Sequence, residues 1–526
     1  MPVGLIAVAL VSVVLGVPFG GLGYLKPALH IAIVSGGSAW LFRHCLKAEH
    51  RDVVGNVALG VAVAMPLVVF SLPKLFMLQI VMLLWVPLIA RGAFERMVPV
   101  YLFSMLLLPP LDMSVAVGSL KLFEFGMLDA LGFGAGAAIL FNPQKGRPGA
   151  QWDAVAIGIV LMIAAALSRD TSISNFLRAS LNVMIDLGLP YYVVSRGIRN
   201  VDDVERTTLW LACGAVVFAA ILGYEALRTW PMYNDLYAKY GVPMMLIVKA
   251  RAGMLRAGGP FMEPTSAAMV LAMFTLALWV CRDHFRSWMY HGAVLSIAIF
   301  GLYAPQSRGA WIGLCIAILA SDAIRGRFAP LMGKLMVIGA GAMALFTAAQ
   351  FSPHLSESLG MSGNSSDTSE YRRMLFERGM EEFWRSPIYG YSTPQILERL
   401  EDLRQGEGII DFVNTYIWIM LIGGSLGIVM FAGGFAVFLT ALATSRPAQV
   451  PRLIAPTAFA FGCLLMVAEM LIFTSFGGRP AFYLFGIFGF SAALLGVRHW
   501  AVAEEVPALQ PAPEVVPLVG FKALAS

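Results

Sequence analysis

The sequence predicts an all-α polytopic membrane protein with 12 to 16 transmembrane helices and a large helical loop outside the membrane. Hydrophobic residues make up 58% of the 526 residues and charged residues only 13%, whereas a soluble protein carries roughly 25% charged residues. The mean hydropathy is +0.75. Apolar runs long enough to cross a bilayer as helices recur along the whole chain.

These apolar runs divide the chain into a transmembrane bundle at 1–350, a large loop at 351–410 and C-terminal transmembrane helices at 411–500. Two or three runs are candidates for re-entrant or split helices. Residues 501–526 contain four prolines and predict a disordered cytoplasmic tail. The predicted helices begin near residues 4, 25, 53, 73, 97, 123, 153, 179, 206, 263, 288, 309, 333, 411, 453 and 480.

Lysine and arginine are distributed unevenly between the loops on the two sides of the predicted bundle. Clusters such as those at 43–51 and 325–334 occupy one alternating set of short loops. By the positive-inside rule that set is cytoplasmic, together with both termini. Two long loops, at about 226–262 and 351–410, then lie on the outer face, as does the tight turn that contains Arg308. The lipid bilayer is therefore an expected partner.

Charge and cysteine usage exclude several other classes of protein. The net charge of +5 follows from the loop arginines, so no nucleic-acid partner is expected. The five cysteines form no C-x-x-C pair and lie in or beside apolar runs. We therefore expect no disulfide and no zinc site, and we predict no cofactor.

The loop at 351–410 contains one predicted amphipathic helix, which ends at Ser386-Pro387. Charged residues at four-residue spacing predict a solvent-exposed stripe, made of Arg373, Glu377, Glu381 and Arg385. The apolar residues predict a buried face, made of Phe376, Met380, Phe383 and Trp384. Arg372 lies one turn before Phe376, which places a charge on the predicted buried face beside the membrane.

Three separate outer segments each place an arginine at the same membrane face, namely Arg256, Arg308 and Arg372. A guanidinium at the centre of a bilayer costs about 2.5–3.5 kcal/mol, so such residues need a membrane edge or a strong partner. Guanidinium groups bind phosphate oxygens in a bidentate manner and stay charged. The alternative for Arg308 is a loop arginine that reaches headgroup phosphate.

Four segments occur in an order and spacing that resemble the O-antigen ligase/polymerase superfamily: RAGGPFMEPTSAA, SRGAWIG, EYRRMLFERGMEEFWRSPIYGYS and DFVNTYIWIMLIGGSLGI. The resemblance covers about residues 165–500. It implies a GT-C-like, metal-independent, inverting glycosyltransferase of the bacterial inner membrane. Such proteins use undecaprenyl-pyrophosphate-linked glycans at the periplasmic face. By this resemblance Arg256, Arg308 and Arg372 bind the pyrophosphate of the donor.

The sequence departs from the ligase pattern where ligases carry a His-Asn pair, because here the pair is Val413-Asn414. The candidate general bases are Asp411, then Glu263, then His354. Asp411 and Glu263 could equally be acidic residues that cap a helix N-terminus or lie in its first turn. His354 could equally be a surface residue of the loop. By resemblance, loss of the histidine favours a Wzy-type polysaccharide polymerase over a ligase.

The acceptor side has weaker candidates, namely Asn414, Tyr416 and Tyr391, since an aromatic belt is equally expected at the membrane edge. The predicted activity is polymerisation of O-antigen, capsule or exopolysaccharide repeat units. Lipid-linked glycans are then donor and acceptor, and a chain-length regulator protein is a further candidate partner.

Three alternative functions stay open. An O-antigen ligase would transfer the glycan to a lipid or protein acceptor. A secondary transporter would use polar groups near mid-membrane, for which Asp186, Glu469 and Glu225 are candidates, although no internal repeat supports it. A metal-dependent glycosyltransferase would carry acids in the first outer loop, and GVPFGGLGYLK has none.

Overall fold

The described helices and strands confirm the predicted fold class. A computed structural model describes residues 2–19, 22–117, 120–143, 150–242, 250–251, 253–352, 356, 365–404, 409–445, 450–475 and 479–508. Within these ranges, seven helices are long and apolar enough to cross a membrane, and five shorter apolar helices accompany them. The protein is therefore an all-α polytopic membrane protein.

Every predicted apolar segment corresponds to a helix. In the first half of the chain the elements are α1 (Pro2–Gly16), α2 (Leu22–Cys45), α3 (Ala48–Ser71), α4 (Leu75–Ile89), α5 (Met97–Met105), β1 (Asp112–Val117), β2 (Leu120–Gly126), α6 (Met127–Leu140), α7 (Asp153–Leu167), α8 (Ile173–Val183), α9 (Leu189–Gly197), α10 (Val201–Arg228) and α11 (Asp235–Tyr240). A π-helical turn, Met184–Gly188, joins α8 to α9.

The second half of the chain begins with a hairpin whose two strands have two residues each, and it continues with long helices. Its elements are β3 (Ala250–Arg251), β4 (Met254–Leu255), α12 (Pro264–Val280), α13 (Trp288–Tyr303), α14 (Arg308–Ile324), α15 (Phe328–Phe351), α16 (Ser365–Arg385), α17 (Thr393–Arg399), α18 (Thr415–Thr444), α19 (Ile454–Met470) and α20 (Arg479–Ala508). Helix α20 continues past the predicted boundary at residue 500, and residues 509–526 of the predicted tail lie outside the described ranges.

Helices α10 and α20 form the centre of the bundle. Helix α10 packs against α2, α12 and α13, while α20 packs against α9 and α12. Every residue in the membrane-spanning part of α20 is buried, and so is most of α10. Large side chains such as Trp210 and Phe218 of α10 and Phe485 of α20 are almost fully enclosed. Helices that are apolar on all sides belong in such interior positions.

The segment after α5 is a β-hairpin, which the sequence analysis did not predict. Helix α5 has only nine residues, too few to cross a bilayer alone. Pro109 and Pro110 follow it, and proline cannot continue a helix. Strands β1 and β2 then pair in antiparallel register, with Asp112 opposite Gly126. The hairpin brings residues 112–126 back to the start of α6.

Both long loops lie at one end of the bundle, together with the turn at 304–307 between α13 and α14. We refer to this end as the long-loop face. It carries the starts of α12, α14 and α18, because each of these helices follows one of those segments.

Helix α16 confirms the predicted amphipathic helix, but its buried face differs from the predicted one. Leu375 is fully buried, whereas Phe376 and Trp384 are 51% and 69% exposed. The reason is Gly379, against which Ile417 of α18 packs so closely that an added Cβ would lie 2.5 Å from it. Helix α16 therefore turns Leu375, Gly379 and the predicted Phe383, which is 8% exposed, toward the bundle, whereas Phe376 and Trp384 stay exposed.

The charged residues of α16 divide into an exposed stripe and one buried carboxylate. The predicted stripe is present, with Arg373 3.3 Å from Glu377 and both side chains exposed. Glu382, in contrast, is 1% exposed and pairs with Arg385 at 2.6 Å and Arg399 at 3.1 Å. This buried carboxylate joins α16 to α17, since it needs both partners to offset its desolvation.

The segment between α16 and α17 docks on a kink in α18. Arg169 donates hydrogen bonds to the carbonyl oxygens of Tyr389 (2.8 Å), Tyr391 (2.5 Å) and Ile422. Gly424 has a φ of +60° at the kink. A Cβ there would lie 2.3 Å from the carbonyl carbon of Ile388. Only glycine allows this approach.

Replacing Gly424 by alanine should therefore detach this segment from α18. We expect Gly424→Ala to lower the free energy of unfolding by on the order of 2 kcal/mol or more, from backbone strain and a steric clash. Thermal unfolding of the purified protein in detergent measures the effect. Gly433→Ala is the matched control, because an added Cβ there meets no atom within 4 Å. Equal losses in both variants would contradict the docking described above.

Candidate active site

A cavity of about 440 Å³ opens at the long-loop face and contains the three predicted arginines. Arg256, Arg308 and Arg372 all line it, and so does Asp411. A fourth cation, Arg251, lines the same cavity. The rest of the wall combines polar residues, Thr265, Gln306 and Ser307, with apolar ones, Ile312, Val413, Met470 and Phe473.

The first long loop reaches the cavity through the β3–β4 hairpin and is attached to the turn at 304–307. Arg251 donates from Nη1 to the carbonyl oxygen of Gln306 at 2.9 Å. Arg256 donates from Nε to the carbonyl oxygen of Pro305 at 3.0 Å. Each of these contacts uses one of the five N–H donors of a guanidinium. The contacts set the position of both cations against the turn.

Two glycines shape the segment that follows Arg256. A Cβ on Gly258 would lie 2.8 Å from the carbonyl carbon of Met262, so the chain could not fold back there with a larger residue. Gly259 has a φ of +53°, and its N–H donates to Glu225 at 2.8 Å. Glu225 also accepts from the N–H of Met232 and is 1% exposed. This buried carboxylate therefore holds the loop under Arg256.

Three helices begin beside the cavity, but only α14 directs an uncapped N-terminus toward it. Glu263 caps α12, and Asn414 caps α18 by accepting from the N–H of Tyr416 at 3.0 Å. Ser307 precedes α14 and makes no side-chain cap among the described residues. The first N–H groups of α14 and its positive dipole end are suited to an anion. An added Cβ on Gly309 would meet no atom within 4 Å, so a ligand can approach the backbone there.

The four guanidinium groups are close enough to repel one another. Desolvation lowers the pKa of Arg256 to about 10, with Arg251 and Arg308 acting in the same direction and Glu263 opposing them. Desolvation and Arg251 also lower the pKa of Arg372, and Asp411 opposes that shift. A pKa of about 10 leaves Arg256 charged at neutral pH. Four cations and one carboxylate on the wall give the cavity an excess of positive charge.

Helix α16 connects Arg372 with Asp411. The hydroxyl group of Tyr371 accepts from the N–H of Asp411 at 3.0 Å and donates to the carbonyl oxygen of the same residue at 3.1 Å. Arg372 follows directly in the chain and makes a long contact to the carbonyl oxygen of Phe473, at 3.4 Å. Tyr371 thereby holds the segment before α18 at the cavity wall, and Arg372 contacts the segment that follows α19.

The remaining predicted site residues do not line the cavity. The Glu263 carboxylate accepts from the N–H of Ser266, and Asn414 caps α18. The Tyr416 hydroxyl donates to a carbonyl oxygen of α19 at 2.8 Å. Tyr391 is 8% exposed, with a guanidinium of α17 4.4 Å from its ring centre. His354 lies outside the described residues. Substrate roles for these residues stay predictions.

Arg251 and Tyr371 were not among the predicted site residues. Arg251 belongs to the same arginine-rich stretch as Arg256, so its proximity in sequence was a usable indication. Tyr371 gave none, because it acts through the backbone of a residue 40 positions away. Among the described residues, no three His, Cys, Asp or Glu side chains lie close enough together to hold a metal ion. Independence from metal stays a prediction.

Comparison with known families bears directly on this cavity. Residues 292–432 match the family model described as O-antigen ligase. The resemblance to the O-antigen ligase/polymerase superfamily is confirmed. The O-antigen ligase-type region supplies Arg308, Arg372 and Asp411, whereas Arg251 and Arg256 precede it in the chain. No curated protein matches the chain.

The arrangement predicts that binding of a pyrophosphate requires the guanidinium group of Arg308. We expect Arg308→Ala to weaken binding of farnesyl pyrophosphate, measured by isothermal titration in detergent, by about tenfold or more. Arg308→Lys should weaken it nearly as much, because the bidentate fork is lost. Arg373→Ala is the control and should bind normally, since that side chain is 75% exposed on the solvent stripe. Equal loss in Arg373→Ala would show that the helix faces are misassigned.

Proposed function

We propose that this protein is an inner-membrane glycosyltransferase that polymerises undecaprenyl-pyrophosphate-linked oligosaccharide repeat units at the periplasmic face. The observation that carries the proposal is the shared cavity of Arg251, Arg256, Arg308 and Arg372 beside the uncapped start of α14. The match of residues 292–432 supports a function of the O-antigen ligase/polymerase type.

The donor in this proposal is a growing glycan on undecaprenyl pyrophosphate, and its diphosphate occupies the cationic cavity. Arginine forks and the helix N-terminus stabilise the charge that develops on the departing diphosphate. The apolar part of the wall, with Ile312 and Met470, suits the lipid side of the same molecule. Helix α16 contributes Arg372 to the cavity wall, and in this proposal it limits the access of water.

The proposed reaction is an inverting displacement at the anomeric carbon of the donor. A hydroxyl oxygen of the acceptor unit attacks that carbon while its bond to the diphosphate oxygen breaks. The bonding electrons leave with undecaprenyl pyrophosphate, and the hydroxyl proton passes to a carboxylate. Asp411 is the better supported base, because it lines the cavity beside Arg372, whereas the Glu263 carboxylate holds the N–H of Ser266.

An O-antigen ligase is the second candidate, and the description of the matching family favours it. It would use the same cationic cavity for the donor but would transfer the glycan to a lipid or protein. Val413 occupies the position where ligases carry histidine in the resemblance described above. That difference supports polymerisation.

Gel analysis of surface glycans after deletion of the gene tests the proposal. A product limited to single-repeat capped lipid supports the polymerase. Accumulation of unattached polymer supports the ligase instead. Normal glycans, together with solute flux in proteoliposomes of the purified protein, would overturn both and favour the transporter. Polymerisation by the purified protein should continue in EDTA, and its loss would contradict independence from metal.

Substitution of the two candidate carboxylates should separate catalysis from helix capping. We expect Asp411→Asn to lower the polymerisation rate on the order of 10²-fold while donor binding changes little, because a general base acts on turnover. Glu263→Gln should keep most of the rate and lower stability by about 1 kcal/mol, as expected for a helix cap. Rate measurements on purified variants decide between them, and the reverse pattern would move the base to Glu263.

A further inference from the structure

A second, smaller cavity of about 110 Å³ lies between the β1–β2 hairpin, α6, α8, the π-helical turn and α20. Its polar lining is mostly acidic. Four carboxylates face it from three different elements, together with one amide and one guanidinium. These residues are Asp112, Glu124, Asp129, Asn182, Asp186 and Arg479.

Three polar atoms on the wall of this cavity lack a hydrogen-bond partner among the described residues. They are Oδ1 of Asp129, Oδ1 of Asn182 and Nε of Arg479. Asp129 and Arg479 are only 6% and 4% exposed. A buried polar group without a partner typically costs about 1–3 kcal/mol. Two acceptors and one donor in one cavity indicate space for a ligand that carries both kinds of group.

Even without Glu124, three carboxylates face this cavity against a single guanidinium. Arg479 donates to the carbonyl oxygen of Pro260 at 3.0 Å and lies 4.3 Å from the centre of the Phe261 ring. Within the described part of the chain Arg479 forms no ion pair with Asp112, Asp129 or Asp186. Burial and the nearby Glu124 raise the pKa of Asp112, and Arg479 opposes them. A cation bound in the cavity would relieve this excess of negative charge.

The geometry favours an organic cation over a metal ion. No three acidic side chains in the described ranges come close enough together to ligate one metal. Carboxylates that are spread around a cavity can instead accept the separate N–H donors of an ammonium group. Pro110, Leu128 and Phe482 complete the wall and can contact a carbon skeleton. The small volume limits the ligand to one sugar edge or one headgroup.

We propose that this acidic cavity binds a primary ammonium group with a neighbouring oxygen, as found in an amino sugar or in an ethanolamine phosphate headgroup. The carboxylates of Asp129 and Asp186 accept from the ammonium group, and Nε of Arg479 donates to the oxygen. This site is separate from the cationic cavity and does not depend on the function proposed above.

Thermal unfolding of the purified, delipidated protein with added probes tests the proposal. We expect D-glucosamine or O-phosphoethanolamine to raise the Tm with increasing concentration, and D-glucose to leave it unchanged, because glucose lacks the ammonium group. A shift with glucosamine alone identifies a glycan source, and a shift with O-phosphoethanolamine alone identifies a lipid headgroup. No shift with either probe, or an equal shift with glucose, would overturn the proposal.

Variants locate the effect. We expect Asp186→Asn to weaken the binding of the probe that raises the Tm by about tenfold, since a charge-assisted hydrogen bond is lost. Asp235→Asn, at an exposed residue that begins α11, should keep the binding of the probe, and so should Arg308→Ala in the other cavity. If Asp186→Asn does not fold, Asp112→Asn in the hairpin serves in its place. Undiminished probe binding in the folded variant would show that the ligand binds elsewhere.

Discussion

The collection of like charges at the edge of an apolar bundle is the constraint on which the candidate site depends. Four guanidinium groups share one cavity, and among the described residues of its wall only Asp411 supplies an opposite charge. Arg251 and Arg256 are positioned by backbone carbonyl oxygens of the turn before α14. Carbonyl contacts orient a guanidinium without cancelling its charge, so the cavity keeps its attraction for an anion.

The loops that carry these cations are held by buried polar contacts and glycines in addition to apolar packing, in which residues such as Tyr233, Phe261 and Leu400 are buried. Glu225 supports the loop under Arg256, and Arg169 gathers three carbonyl oxygens behind α16. Gly258 and Gly424 allow backbones to approach where a Cβ would clash. Such contacts are specific in geometry, because each buried donor or acceptor must find its partner.

Two cavities of opposite charge flank the same short segment at the long-loop face. Arg256 enters the cationic cavity just before Gly258, and the carbonyl oxygen of Pro260 accepts from Arg479, which lines the acidic cavity. The segment between them is therefore connected to both sites. Oppositely charged groups of two substrates, or of one substrate and a lipid, could be held apart by this arrangement.

The sequence by itself determined the helical membrane fold, the segments of its helices, the helix at 365–385 and the cluster of outer arginines. These features follow from hydropathy and from periodicity over one or two helical turns, which are local properties. Only the tertiary structure decided that Tyr371 contacts Asp411, that Glu263 faces its own helix, and that Leu375 rather than Phe376 is buried. It alone assembled the acidic cavity, because residues 112 and 479 meet through packing of distant helices, which no local pattern encodes.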